Sequence, residues 1–366
     1  MFLDFSKAFD TVDHSILLTK LNHYGIRGVA YDWFESYLSN RKQYVTYNGS
    51  KSSTKTVRCG VPQGSILGPI LFLIYINDLA SICKKTLPFL FADDTNLFIS
   101  GENIEKMIED LNKELMEISH WLKVNKLSLN IKKTHYMLFT SKKIRPTELN
   151  IQIDGNGIEE VSHTKFLGVY IDNKLNWKKH ISYIYGKVSR GIGIILKTRK
   201  VLNTESLKTL YYSFIYPYYN YCNHVWGCTY ETNLRPLILL QKWCIRVISF
   251  AKYRAHTDPL FKKLNIIKFL DINKYVYSRF MFRWYHEDVP NVFGGLFKPV
   301  RDVHRYDTRQ SNQLYCHEIN TNLGRTKLSY RAPSIWNKII HNKINPNTSE
   351  CVFAKTIKQS IKVGIL

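Results

Sequence analysis

Apolar and polar positions along the chain change their period near residue 176, from short alternating runs mixed with helical spacing to long helical segments. Phe2, Leu3 and Phe5 around Asp4 read as the end of a strand. Helical spacing follows over residues 14–25, with Asp13 as the N-cap, and over 31–39. Residues 41–47 alternate into Asn48-Gly49 and the chain returns over 53–57, which predicts a hairpin turned by that Asn-Gly pair. The Gly- and Pro-punctuated CGVPQGSILGP (59–69) opens a long apolar helix. Two apolar runs over 88–100 enclose Asp93 and Asp94, the pattern of a β-hairpin with the acids at its turn. An amphipathic helix over 103–122 leads to KLSLN (126–130), and strands over 134–141, 149–155 and 165–172 complete a β-rich part. Helical segments over 178–200, 204–221 and 231–250 come next, then basic, aromatic, Gly- and Asn-punctuated sequence to Lys343. The expectation is an α+β part over 1–176, a helical region over 177–255 and a basic C-terminal region over 256–366.

Composition adds limits. The 366 residues are 45% hydrophobic and 14% aromatic with only 18 Gly and 11 Pro, which excludes disorder across the whole chain and a small staple-dependent scaffold. Charge is unevenly placed: residues 177–366 carry 31 basic against 10 acidic side chains, +21 of the total +23. With Tyr, Phe and Trp interleaved, that half fits a polyphosphate track with stacking surfaces better than a membrane surface, the alternative being a solvated basic face. The most apolar window, 65–82, is broken by Pro69, Asn77 and Asp78, so no membrane partner is expected, and MFLDFSKAFD lacks the form of a signal peptide. Cys222 and Cys228 flank His224 without a second ligand pair, which favours free thiols over zinc.

The candidate chemistry is acidic. Asp4 sits between Leu3 and Phe5, and Asp93-Asp94 between PFLFA and TNLF; a charge among apolar neighbours is costly unless paired or bound to a cation. If the two strands lie side by side, these carboxylates suit two divalent cations for phosphoryl or nucleotidyl transfer, Mg²⁺ first and Mn²⁺ as a substitute. An Asp-Asp pair at a hairpin tip serves equally well as a turn device.

Five segments in order, LDFSKAFDTVDH (3–14), GVPQGSILGPILFLIYINDL (60–79), LFADDTNLF (90–98), LSLNIKKTHYMLF (127–139) and KFLGVYIDNKLNW (165–177), resemble the successive motifs of a reverse transcriptase. The wording is most similar to retrotransposons lacking long terminal repeats, of the LINE class and its jockey-like and CR1-like branches. NYCNHVWG (220–227) and YRAPSIWNKI (330–339) resemble later segments of the same elements. The resemblance implies a polymerase palm, an antiparallel sheet with packed helices, followed by a mainly helical thumb and C-terminal region. It implies Asp4, Asp93 and Asp94 as catalytic metal ligands, with Asp94 the weaker one, and Lys133 as the proton donor to departing pyrophosphate, with Lys132 adjacent. Phe9 would lie under the sugar of a deoxynucleotide, although a packed core ring is an equal reading of that residue. Gln63 and Gly64 would face the templating base pair, Gly64 because backbone approaches substrate closely only without a side chain. Phe166, Leu167 and Gly168 would grip the primer end, although FLGV reads equally as an ordinary core strand. Asp10 and His14 invite no acid–base role, and Asp78 is expected to meet a basic neighbour.

The partners implied are an RNA template, a DNA primer and deoxynucleoside triphosphates, with action in the nucleus implied by the resemblance alone. In the family a fingers region and an endonuclease precede the first motif, so a chain beginning three residues before Asp4 reads as N-terminally truncated, its independent activity open. The alternatives are a non-catalytic nucleic-acid-binding remnant and, leaving the basic excess unexplained, a structural domain without a ligand.

Overall fold

The computed structural model describes residues 1–140, 149–303, 313–316, 318–321 and 324–366. The fold is mixed α and β, and its contacts divide it into two compact units, Met1–Ser162 and His163–Leu366. The last residue of the strand expected over 134–141 lies outside the described residues. Among the described residues, no helix is long and apolar enough to cross a membrane.

The first unit is built on a five-stranded sheet in the order Glu159–Glu160, His135–Tyr136, Phe2–Leu3, Asp94–Phe98, Leu87–Phe91. All neighbours run antiparallel except Glu159–Glu160 beside His135–Tyr136. Helices His14–His23, Leu67–Ile76 and Ile104–Val124 bury Leu17 and Leu21, Leu71 and Phe72, and Leu111, Leu115, Ile118 and Leu122 in one core with Leu3, Phe5 and Leu97. The i, i+3/i+4 spacing puts the sets of the first and third helices on one face each, and in the second Leu71 and Phe72 are joined by Tyr75 and Ile76 one turn on. Asp13 caps the first of these helices, accepting from the amides of Ser15 and Ile16. The expected Asn-Gly hairpin forms, with Asn48 at φ 46° and Gly49 at φ 80°, both in the left-handed region that a type I′ turn requires.

In the second unit the 165–172 segment is a hairpin, His163–Phe166 against Val169–Asp172, and not one strand. Leu167 at φ 43° and Gly168 at φ 83° make its two-residue turn. The segment 204–221 is likewise two helices, Thr204–Phe214 and Tyr216–Asn220, because Pro217 cannot continue the first and opens the second. Helices on both sides of residue 255 share one core: Ile184, Val188 and Ile192 meet Tyr211, Trp226, Ile245, Tyr277, Trp336 and Phe353. Gln241 is buried there with its polar ends satisfied. It donates to the Tyr211 hydroxyl (2.9 Å) and the Ile267 carbonyl (3.0 Å) and accepts from the Phe269 amide (2.7 Å), fixing the start of helix Phe269–Tyr285.

His180, 2% exposed, accepts the Tyr170 N–H at Nδ1 (3.3 Å), while its Nε2 is buried without a hydrogen-bond partner. Burial lowers its pKa from 6.5 to about 4, so the folded ring is neutral across a range where the unfolded chain takes up a proton. Stability should therefore be unaffected by this group above pH 6.5 and fall as pH drops from 6.5 to about 4, by roughly 3 kcal/mol in total. Urea unfolding at a series of pH values checks this; a His180→Gln variant should show a flatter profile over that window, and an unchanged slope would refute the assignment.

Candidate active site

Leu3 pairs with Thr95 and Phe2 with Asn96, so the register carried one residue further sets Asp4 beside Asp94. The hairpin closes with Phe91 opposite Asp94, leaving Ala92 and Asp93 as its two-residue turn. Ala92 takes φ 51°, the left-handed conformation that a primed turn needs at its first central position. The three carboxylates thus gather at one end of the sheet. They are not desolvated as their apolar neighbours in sequence suggested: Asp93 and Asp94 are exposed and Asp4 half-buried, because the turn projects beyond the sheet and Phe89 and Phe91 themselves face outward. What burial remains, then the charges of Asp93 and Asp4, push the carboxyl of Asp94 above the usual carboxylate range.

The backbone of Asp4 is held from the side of residues 127–134. Its carbonyl accepts from the Asn130 amide (2.7 Å), and its N–H donates to the hydroxyl of buried Thr134 (3.3 Å). Ser6 N–H donates to the Ser128 carbonyl (2.8 Å), and Phe5 bridges Leu129. The same segment brings Lys133 Nζ to 3.8 Å from Asp4 Oδ2; of the two adjacent lysines this is the one that reaches the acid. Sequence reasoning named neither Asn130 nor Thr134, whose contacts depend on a chain crossing that no local pattern records.

Glu114 was also missed. It lies on the apolar face of helix Ile104–Val124, about one turn from Leu111 on one side and from Ile118 on the other, and is buried. Its carboxylate accepts the amides of Lys84 (3.0 Å), Lys85 (2.6 Å) and Thr86 (3.1 Å) and the Thr86 hydroxyl. Those residues lead directly into Leu87–Phe91, so the carboxylate anchors the entry to the acid-bearing hairpin. An acid in register with an apolar helical face was the available sign.

Phe9 packs on Phe72 at 4.5 Å between centroids and is half-buried, so at least one side of its ring serves packing. Gln63 is exposed and donates to Asp10 Oδ1 (2.8 Å). Gly64 has φ 83° and nothing within 4 Å of where a Cβ would stand; within the chain its backbone conformation, not crowding, calls for glycine. Gly60 nearby shows the opposite case, since a Cβ there would lie 2.8 Å from the Asp10 carbonyl oxygen. His14 is half-buried and donates from Nε2 to the Gly60 carbonyl (2.8 Å). Burial works to raise the Asp13 carboxyl, but hydrogen bonds from Lys126, Ser15 and the Ile16 amide outweigh it and hold it well below the usual range. Asp78 pairs with Lys20 at 2.7 Å, as expected. Phe166, Leu167 and Gly168 lie in the second unit at the end of a hairpin, so FLGV is not one continuous core strand; the Tyr221 hydroxyl donates to the Leu167 carbonyl (2.7 Å) and backs the turn.

Among the described residues, no three His, Cys, Asp or Glu side chains are disposed to hold a metal ion by themselves. The carboxylates nevertheless fit a hard cation in kind: they are oxygen donors, the charges of Asp93 and Asp4 raise the proton affinity of Asp94, and Mg²⁺ is commonly bound by one or two carboxylates together with substrate phosphates.

Residues 1–171 match the family described as reverse transcriptase (RNA-dependent DNA polymerase). Among Drosophila melanogaster proteins, the chain is 28% identical over 285 residues to the probable RNA-directed DNA polymerase from transposon BS, covering 73% of this chain and 30% of that one. It is 25% identical over 337 residues to the probable RNA-directed DNA polymerase from transposon X-element, covering 89% and 36%, and 27% identical over 293 residues to the RNA-directed DNA polymerase from mobile element jockey, covering 77% and 32%. The chain thus spans about a third of the length of these curated relatives. With the acidic hairpin lying beside Asp4 inside the matched segment, residues 1–171 are a domain of the reverse transcriptase family, in a chain similar along most of its length to the polymerases of retrotransposons lacking long terminal repeats.

Proposed function

We propose that the chain is an RNA-directed DNA polymerase that extends the 3′ end of a DNA primer on an RNA template from deoxynucleoside triphosphates. The observation that carries this reading is the meeting of Asp4 with Asp93 and Asp94, from two segments far apart in the sequence, in a domain of this family. In this reading the first unit acts as a palm and the helices after residue 176 as a thumb with a basic C-terminal region. Asp4 and Asp93 hold Mg²⁺, with Asp94 as a weaker or outer ligand. A divalent cation bound there supplies Lewis-acid stabilisation of charge on the phosphoryl oxygens.

The chain's own side chains do the rest. The primer 3′-hydroxyl gives its proton to solvent water and its oxygen bonds to the α-phosphorus, while the bond from that phosphorus to the bridging oxygen breaks and the oxygen leaves with pyrophosphate. Lys133, exposed and beside Asp4, gives a proton to that leaving group or balances its charge. Phe9 supports the sugar, Gln63 and Gly64 face the base pair, and the Phe166–Gly168 turn takes the primer end.

The test is primer extension on an RNA template with Mg²⁺, comparing the chain with an Asp93→Asn, Asp94→Asn double variant. Extension by the parent that the variant loses is the expected result. No extension by either, with nucleic-acid binding kept by both, would overturn it in favour of a non-catalytic binder, the reading that the +21 of residues 177–366 supports.

A further inference from the structure

The C-terminal segment 330–339, which the active-site reading leaves unused, meets residues 228–230, directly after the other unused segment 220–227, at one cavity of about 420 Å³ inside the second unit. Helix Leu328–His341 divides its residues between two faces. Ala332, Trp336 and Ile339 enter the core, while Arg331, Ser334 and Lys338 line the cavity. Lys274 lines it from helix Phe269–Tyr285, Arg325 from the Gly324–Thr326 turn, and Tyr230 from the start of helix Glu231–Ile248.

The lining holds four cationic side chains and, among the described residues, no Asp or Glu. Lys274 is partly satisfied, 3.2 Å from Asp271 and donating to the Leu366 carbonyl (3.1 Å). Arg325 donates from Nε to the Ile319 carbonyl (3.1 Å) but, like Arg331 and Lys338, has no Asp or Glu partner among the described residues. Three such cations around one concavity repel one another and focus a positive potential into it, which an anion relieves. Tyr230, 56% exposed, adds a ring to the same lining. The volume suits a single nucleotide, and phosphate is the anion that arginine and lysine together bind best beside an aromatic face.

We propose that this cavity seats the phosphate of a nucleotide, with the base against Tyr230. The ligand class follows from the polymerase reading, but the site itself does not depend on catalysis. The phosphate belongs either to a nucleic-acid strand or to a free nucleotide, and the test separates the two.

Binding of a labelled single-stranded RNA 12-mer and of dTMP would be measured across a salt series for the full chain, for the cavity variants Lys338→Gln and Arg325→Gln, and for Lys252→Gln away from the cavity. For a strand phosphate, each cavity variant should weaken RNA binding about three- to tenfold and make the log affinity against log salt slope shallower by about 0.7, with Lys252→Gln changing affinity less than about twofold. For a free nucleotide, only dTMP binding should fall. Equal losses in all three variants, or no loss with either ligand, would overturn the site. Running the series on the Asp93→Asn, Asp94→Asn background keeps the outcomes apart: cavity binding should persist there whether or not the parent extends a primer.

Discussion

Asp4→Asn is expected to reduce primer extension on the order of a thousandfold while leaving the fold intact. The substitution keeps the shape of the side chain and touches neither backbone contact that fixes residue 4, because Asn130 and Thr134 bond its main chain. What goes is one of three clustered negative charges and the partner of Lys133, a pair exposed enough that its loss is within about 1 kcal/mol. Asp94 reports the change directly. Its carboxyl is raised by burial and by both neighbouring charges, so its ionised form opposes folding at pH values above its own pKa and that opposition fades as pH falls through it. Removing the charge at residue 4 should bring the Asp94 carboxyl down, visible by NMR titration, with urea stability unchanged or slightly higher. Extension retained within tenfold of the parent would sink the metal-ligand role of Asp4.

Glu114→Ala should have the largest effect on stability, a loss of roughly 3–4 kcal/mol in urea unfolding. The carboxylate is buried and accepts three amides and a hydroxyl. Truncation strands those donors beneath a helix instead of returning them to water. Glu114→Gln should cost about half as much, since its carbonyl oxygen still accepts while its NH₂ meets donors. Because the anchored residues precede the acidic hairpin, Glu114→Gln should also lower extension at temperatures where it is still folded. A loss below about 1 kcal/mol in Glu114→Ala would show that the loop is held by other means.

Local chemistry was legible wherever one stretch of chain supplies the whole motif. Asn48-Gly49 forms its turn, Asp13 caps its helix, and the acids at 93–94 fall at a hairpin end. Misreadings came where packing decides. KFLGVYID has the apolar density of one strand, yet Leu167 accepts a left-handed conformation because Gly168 follows and Tyr221 holds its carbonyl. Helix Phe269–Tyr285 was hidden because buried positions include Asn273 and Ser278, polar residues whose donors are taken up inside the core by the Asn223 side-chain oxygen and the Lys274 carbonyl. At the candidate site, the carboxylates were visible as residue types, whereas Thr134, Asn130 and Glu114 were not. Their roles rest on hydrogen bonds between segments about 30 to 130 residues apart.

The Leu87–Phe91 strand lies at the edge of its sheet with Leu87, Phe89 and Phe91 all more than half exposed, an arrangement that ordinarily invites a second chain to pair along it. In a two-residue hairpin the closing pair, Phe91 and Asp94, exchanges both ladder bonds, so alternation turns the backbone nitrogens of residues 88 and 90 outward. Residue 88 is proline and has no proton to offer. An approaching strand therefore finds one amide, that of Leu90, where an unbroken edge would present two, and this greasy border is a poor template for fibril growth.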